Sequence, residues 1–225
     1  PAPLGIYSTF SHNDEAASAG YYRVLLKDYN INVELTATER CGVQRYTFPK
    51  AEASVFLNLK KAMNWDFTLD SRIEVVDSMT IRGYRFSQGW SPLQHVYFET
   101  RFSKPFVACH MDTTSIVTKD RGWIGTAYIA RFDFNTEKDE EILVTTGISG
   151  VSMEGAGKNL RAEAPKDDFD YYQMQAAKTW NKQLSKIEVK SPDTDDLVKF
   201  YTALYHSMIA PTVYSDVDGS YYGPD

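Results

Sequence analysis

The 225-residue chain has only two cysteines, Cys41 and Cys109, and no run of about eighteen apolar residues. Two thiols make no disulfide framework; one bridge or two buried thiols are both open. Without a long apolar run, no helix can span a membrane. Basic charge is also short: 24 Lys and Arg stand against 30 Asp and Glu, a net charge of -6. Nucleic-acid binders carry basic patches, so nucleic acid is not an expected partner. There is no N-x-S/T sequon, no internal repeat and no low-complexity segment. The chain opens on PAPLGIYSTF, with no signal peptide and no Met, as a mature or cut form would.

Several site signatures are missing as well. GVSMEGAGKN looks like a phosphate loop but fails the spacing: Ser152 stands where glycine is needed, and Asn159 where Ser or Thr is needed. The four histidines, His12, His95, His110 and His206, show no metal-ligand spacing. No G-x-S-x-G elbow supports a serine hydrolase.

Aromatics are what the chain has in excess, 15 Tyr, 12 Phe and 4 Trp. They suit a β-rich core, and they also suit a protein that stacks rings on sugars. Residues 20 to about 150 read as short strands. GYYRVLLKDYNINVELTATER is a hairpin; CGVQRYTF, ASVFLNLK, IEVVD, MTIRGYRF, HVYFETRF, GWIGTAYIARFDF and EEILVTTGIS follow. In HVYFETRF, Val96, Phe98 and Phe102 alternate against Tyr97, Glu99 and Arg101. Many short strands with turns between them predict an antiparallel β-sandwich rather than βαβ units.

After Gly150 the period changes. A short helix is expected over Asn159–Ala164, stopped by Pro165. A longer one follows in DDFDYYQMQAAKTWNKQLSKIEV, with Phe169, Tyr172, Ala176, Trp180 and Leu184 on one face. LVKFYTALYHSMIAP gives a third helix with a wide apolar face, ended by Pro211. The expected organisation is a β-sandwich over 1–150, a helical linker over 151–192 and the first helix of another unit over 193–225.

Two polar stretches are candidate sites. SDVDGSYYGPD ends the chain. Its Asp216-Val-Asp218-Gly219 can be a calcium-binding loop, though glycine falls too early for an EF-hand. Its chemistry better fits a turn in which Asp side chains bond to their own backbone. FSHNDEA groups His12, Asp14 and Glu15 before a strand, either as a loop reaching a site or as an ordered turn.

The segments FSHNDEAASAGYYRVLLKDYNINVELTATERCGVQRYTFP, GISGVSMEGAGKNLRAEAPKDDFDYYQMQAAKTWNKQLSKIEV and FYTALYHSMIAPTVYSDVDGSYYGPD resemble glycoside hydrolase family 92, the calcium-dependent α-mannosidases. The likeness is collinear over nearly the whole chain. It implies a β-sandwich, a helical linker and the start of an (α/α)6 barrel. It implies an inverting enzyme that removes terminal α-linked mannose, α-1,2 by preference, from mannose-rich glycans or glycoproteins. Calcium is the implied cofactor, with its ligands mostly outside this stretch, as are the acid and base. A secreted, periplasmic or cell-surface bacterial location is implied too. Asp225 is the implied acceptor for mannose hydroxyls, with Asp216 and Asp218 as substrate-site candidates that support the loop. Pro224 departs from the family's Met, and Ala19 from its Pro. His12 and Glu15 match the pattern and read as domain-interface residues. The alternative is a non-catalytic carbohydrate-binding or structural sandwich.

Overall fold

Alternating apolar residues fold into two antiparallel sheets. The computed structural model describes residues 7–60, 66–118, 123–210 and 212–223. In chain order the strands are β1 (Glu15–Ser18), β2 (Tyr21–Leu26), β3 (Ile31–Ala37), β4 (Cys41–Phe48), β5 (Ala51–Asn58) and β6 (Phe67–Val75). They continue as β7 (Thr80–Gln88), β8 (Gln94–Phe102), β9 (Ala108–Thr118), β10 (Trp123–Thr136) and β11 (Glu140–Ser149). An eight-stranded sheet runs β1-β2-β3-β4-β11-β8-β7-β6, and a three-stranded sheet runs β5-β10-β9. Helices α1 (Met153–Glu163), α2 (Phe169–Leu184) and α3 (Thr194–Ser207) follow.

The two sheets close over an aromatic core. Phe102 of β8 meets Phe132 and Phe134 of β10 at ring-centroid distances of 5.2 and 5.6 Å. All three are essentially sealed from water, with Ile81, Phe98, Ile142 and Val144 around them. Burying each Phe side chain is worth about 2 kcal/mol. The opposite face of the large sheet is covered too. β4 turns Cys41 and Val43 outward and β11 turns Leu143 outward, where Leu160, Ala164, Phe169 and Tyr172 meet them. Coverage on both faces explains why β11 carries a continuous apolar run, Ile142-Leu143-Val144, instead of an alternation.

Helix α1 corrects the sequence reading. It begins at Met153, six residues ahead of Asn159, because the Ser152 side chain accepts from the Gly155 N–H at 2.9 Å and caps it. Gly155 and Gly157, poor helix formers by propensity, lie buried inside the helix. Helix α2 is capped by Asp168, which accepts from the Tyr171 N–H, and buries Phe169, Tyr172 and Ala176. The Arg45 guanidinium lies 4.5 Å over the Phe169 ring. Helix α3 is capped by Asp193 and buries no residue. It meets α2 where Trp180 and Tyr205 pack edge to face at 4.6 Å. It stops at Ser207; Pro211, expected to end it, lies outside the described residues.

β9 has no counterpart among the expected strands, since ACHMDTTSIVT lacks an alternation of large apolar residues. Its pairing with β10 supplies what its own pattern does not. Cys41 and Cys109 are both free, the first buried and the second half-buried. Burial pushes the Cys41 thiol up to about 11, so it stays protonated at neutral pH.

Candidate functional site

The loop after α3 comes back to the outer face of the large sheet, and its carboxylates divide into two kinds. Asp216 is 4% exposed. Its Oδ2 accepts from Ser149 Oγ of β11 at 2.7 Å, and its Oδ1 accepts from Asn159 Nδ2 of α1 at 2.8 Å. The Asn159 amide is spent completely. Nδ2 also donates to the Ile148 carbonyl, and Oδ1 accepts from the Val217 N–H at 2.9 Å. The turn closes through Asp216 N–H to Ser220 O and Gly219 N–H to Asp216 O. Gly219 has φ +84°, a left-handed conformation that glycine adopts without penalty.

Asp218 is partly exposed. Its Oδ1 accepts from the Ser220 N–H and its Oδ2 pairs with Lys158 at 3.1 Å. The Ser220 bonds first, then Lys158, hold its carboxyl down at about 2. This is the turn in which Asp side chains bond to their own backbone. One residue earlier, the Ser215 carbonyl accepts from Arg40 Nε at 2.6 Å, and the same guanidinium pairs with Glu163 at 2.5 Å.

The glycines of α1 now have their reason. A Cβ on Gly155 would sit 2.3 Å from Asp216 Oδ2, and one on Gly157 would sit 2.5 Å from the Glu99 carboxylate. A Cβ on Gly147 would lie 2.6 Å from the Ala156 carbonyl. GVSMEGAGKN is therefore glycine-rich so that helix, sheet and loop can approach closely.

Two family models cover the chain: the glycosyl hydrolase family 92 N-terminal domain over residues 2–149, and the glycosyl hydrolase family 92 catalytic domain over residues 155–225. The chain belongs to glycosyl hydrolase family 92. The family GH92 α-mannosidase BT3965 from Bacteroides thetaiotaomicron is 30% identical, with a TM-score of 0.85 over 96% of this chain and 30% of that one. The same enzyme in complex with mannoimidazole gives a TM-score of 0.84. The inverting mannosidase BT2199 of that organism is 22% identical with a TM-score of 0.82, a likeness of fold. No curated protein matches. The chain spans about a third of the length of the solved structures it matches, 30% in the first.

Within this family 92 chain, the candidate residues do not form one cluster. Asp216 and Asp218 share the turn but face different partners: Asp216 faces the α1–β11 junction, and Asp218 faces Lys158. Asp225 lies outside the described residues. A calcium ion does not fit the turn as it stands. Both Asp216 oxygens accept from protein donors, and Asp218 already faces an ammonium. Among the described residues no three His, Cys, Asp or Glu side chains are grouped as metal ligands. No described helix is long and apolar enough to cross a membrane.

His12 and Glu15 do meet. Ser11 caps a short 3-10 turn over His12–Asp14, which sets His12 Nδ1 2.5 Å from Glu15 Oε2. The Tyr22 hydroxyl donates to Glu15 Oε1. The Tyr22 bond first, then His12, holds the Glu15 carboxyl below its usual range. Asp14 pairs with Lys27 at 2.9 Å. This ordered turn lies beside the Val24 end of β2, whereas the Asp216 turn lies beside Ser149, at the far end of β11. The two polar stretches are separate places.

A cleft of about 480 Å³ lies beside α2, lined by Thr38, Glu39, Glu163, Tyr172, Ala176 and Trp180 among others. Its Glu163 carboxylate is already held by Arg40 and the Thr38 hydroxyl. The sequence reading missed Ser149, Asn159 and Arg40, which fix the loop. They stand 67, 57 and 175 residues from their loop partners, so no local pattern announces them.

Proposed function

We propose that this chain belongs to an exo-acting glycoside hydrolase that removes terminal α-linked mannose from mannose-rich glycans. The observation that carries the reading is 30% identity, over 96% of this chain, to an α-mannosidase that has been solved with mannoimidazole. We propose further that the reaction inverts the anomeric centre, depends on calcium and prefers α-1,2 linkages. The division into a sandwich over 1–150, a linker over 151–192 and a barrel start over 193–225 belongs to the same proposal, as does a location outside the cytoplasm.

An inverting reaction needs an acid and a base about 6.5–9.5 Å apart, with a water between base and sugar. We assign neither role to a described residue. The described residues position. Asp216 ties the loop to sheet and helix, Arg40 ties it to Glu163, and Asp218 holds its turn closed. Asp225 is then the proposed acceptor for two neighbouring sugar hydroxyls, since an ionised carboxylate can take both.

Mannose release from α-1,2-mannobiose by the native protein, with and without a chelator, tests this. Release that stops on chelation and returns with added calcium is the expected result. No release from any α-mannoside, with calcium present, would sink the reading.

A further inference from the structure

The loop that Asp216 anchors leads onto a wall of aromatic rings. On the outer face of the large sheet, β7 presents Tyr84 and Phe86 and β8 presents His95 and Tyr97; the register pairs Tyr84 with Tyr97 and Phe86 with His95. Strand period places all four on one side. Tyr84 and Phe86 stack at 4.4 Å and 20°, Phe86 lies 4.2 Å from His95, and Tyr97 is edge-on to Phe86 at 5.5 Å. Tyr222 of the loop comes edge-on to His95 at 4.8 Å, which joins loop and wall into one surface. The four strand rings are half-buried, and Tyr222 is 44% exposed.

The rings keep unused polar groups. Tyr84 spends its hydroxyl on Asp70 at 3.0 Å. Among the described residues the His95 nitrogens and the Tyr97 and Tyr222 hydroxyls have no hydrogen-bond partner. Burial first, then the Tyr222 hydroxyl, raises the Tyr97 phenol, so it remains a donor at neutral pH. Flat rings beside free donors and acceptors match a pyranose. Its C–H face packs on the rings, and its edge hydroxyls need partners. These groups are open to solvent rather than sealed, so a polar ligand can reach them.

We propose that the outer face of β7 and β8, with Tyr222, is a sugar-binding wall that takes a mannose unit of the substrate on the surface shared by Phe86, His95 and Tyr222. The ligand's identity rests on the mannosidase reading above; the wall itself rests on the rings.

The test combines two measurements on the native protein. The first follows the His95 ring resonances during titration with methyl α-mannoside, with methyl β-glucoside as the comparison. The second measures KM for α-1,2-mannobiose in F86L and H95Q, after thermal melting confirms that each folds. F86L keeps apolar bulk without a flat ring, and H95Q keeps a hydrogen-bonding group without an aromatic one. Loss of one ring contact corresponds to roughly tenfold weaker binding. The expected result is a saturable His95 shift with mannoside and a KM raised by that order in both variants, with less effect on kcat. Mannose release with KM unchanged in both variants overturns the wall and leaves the mannosidase reading standing. No mannose release, with a His95 shift for glucoside that F86L abolishes, supports a sugar wall and overturns the mannose assignment. No shift with either sugar and no release overturns both.

Discussion

The two faces of the eight-stranded sheet are built by different means. Toward β10 the contacts are apolar and nearly dry, Phe against Phe and Ile against Val. Toward the helices and the loop a smaller apolar patch around Val43, Leu160 and Phe169 is joined by directed polar pairs: Asp216 with Ser149 and Asn159, Arg40 with Glu163, and Arg45 with Glu34. An apolar face depends on volume and tolerates many partners of similar size. A polar face depends on direction, because each buried donor needs one particular acceptor. The inner face holds the fold, and the outer face fixes where α1, α2 and the loop sit.

F132A should break the inner face. Truncating a fully buried Phe costs about 3–5 kcal/mol, and urea unfolding should show the whole domain losing that amount. D216A should affect only the outer face. Removing a buried carboxylate leaves the Ser149 hydroxyl and one Asn159 amide N–H without an acceptor, at about 3 kcal/mol. Hydrogen exchange should quicken at Val217 and Gly219 while the amides of β10 keep their protection. If β10 loses protection equally, the faces are not independent.

E34Q sharpens the comparison through pH. Burial pushes the Glu34 carboxyl up, but the bonds from Arg45 and Tyr21 outweigh it and leave the carboxyl below its usual value. A depressed carboxyl stabilises the fold above its unfolded value, near 4.5, and that contribution is lost as pH falls through the folded value. The wild type should lose stability faster than E34Q as pH drops below about 4.5, with a difference of about 1 kcal/mol at pH 7. Parallel acid profiles would remove Glu34 from the account. D218N is expected to have the smallest effect. Its pair with Lys158 is solvent-exposed, so the melting temperature at neutral pH should not move measurably.

Legibility in the sequence follows the same division. The inner face was readable because Phe98 and Phe102, or Phe132 and Phe134, repeat every second or fourth residue. The bodies of α2 and α3 were readable from their 3.6-residue period. The start of α1 was not. Glycine is a poor helix former, and the reason for Gly155 and Gly157, Asp216 and Glu99, lies elsewhere in the chain. The capping serine at Ser152 was the one local signal available. The turn at Asp216 was visible as a turn, but its burial was not, since that depends on Ser149 and Asn159. The aromatic excess pointed first to a core and only second to a sugar site. The structure divides it, with Phe102, Phe132 and Phe134 in the core and Phe86, His95 and Tyr97 on the outer face.

The Asp216 anchor also orders events in time. A chain made from its N-terminus has finished Ser149 and Asn159 well before Asp216 is joined to it. Until that residue arrives, the Asn159 amide has only the Ile148 carbonyl, and water must serve its remaining groups. The Asp216 turn thus enters a receptor whose parts precede it in the chain, closing loops of 57 to 175 residues. Long closures come late in folding because their entropy cost precedes their reward. The Asp216 turn is then expected to settle after the sheet and the helix that receive it.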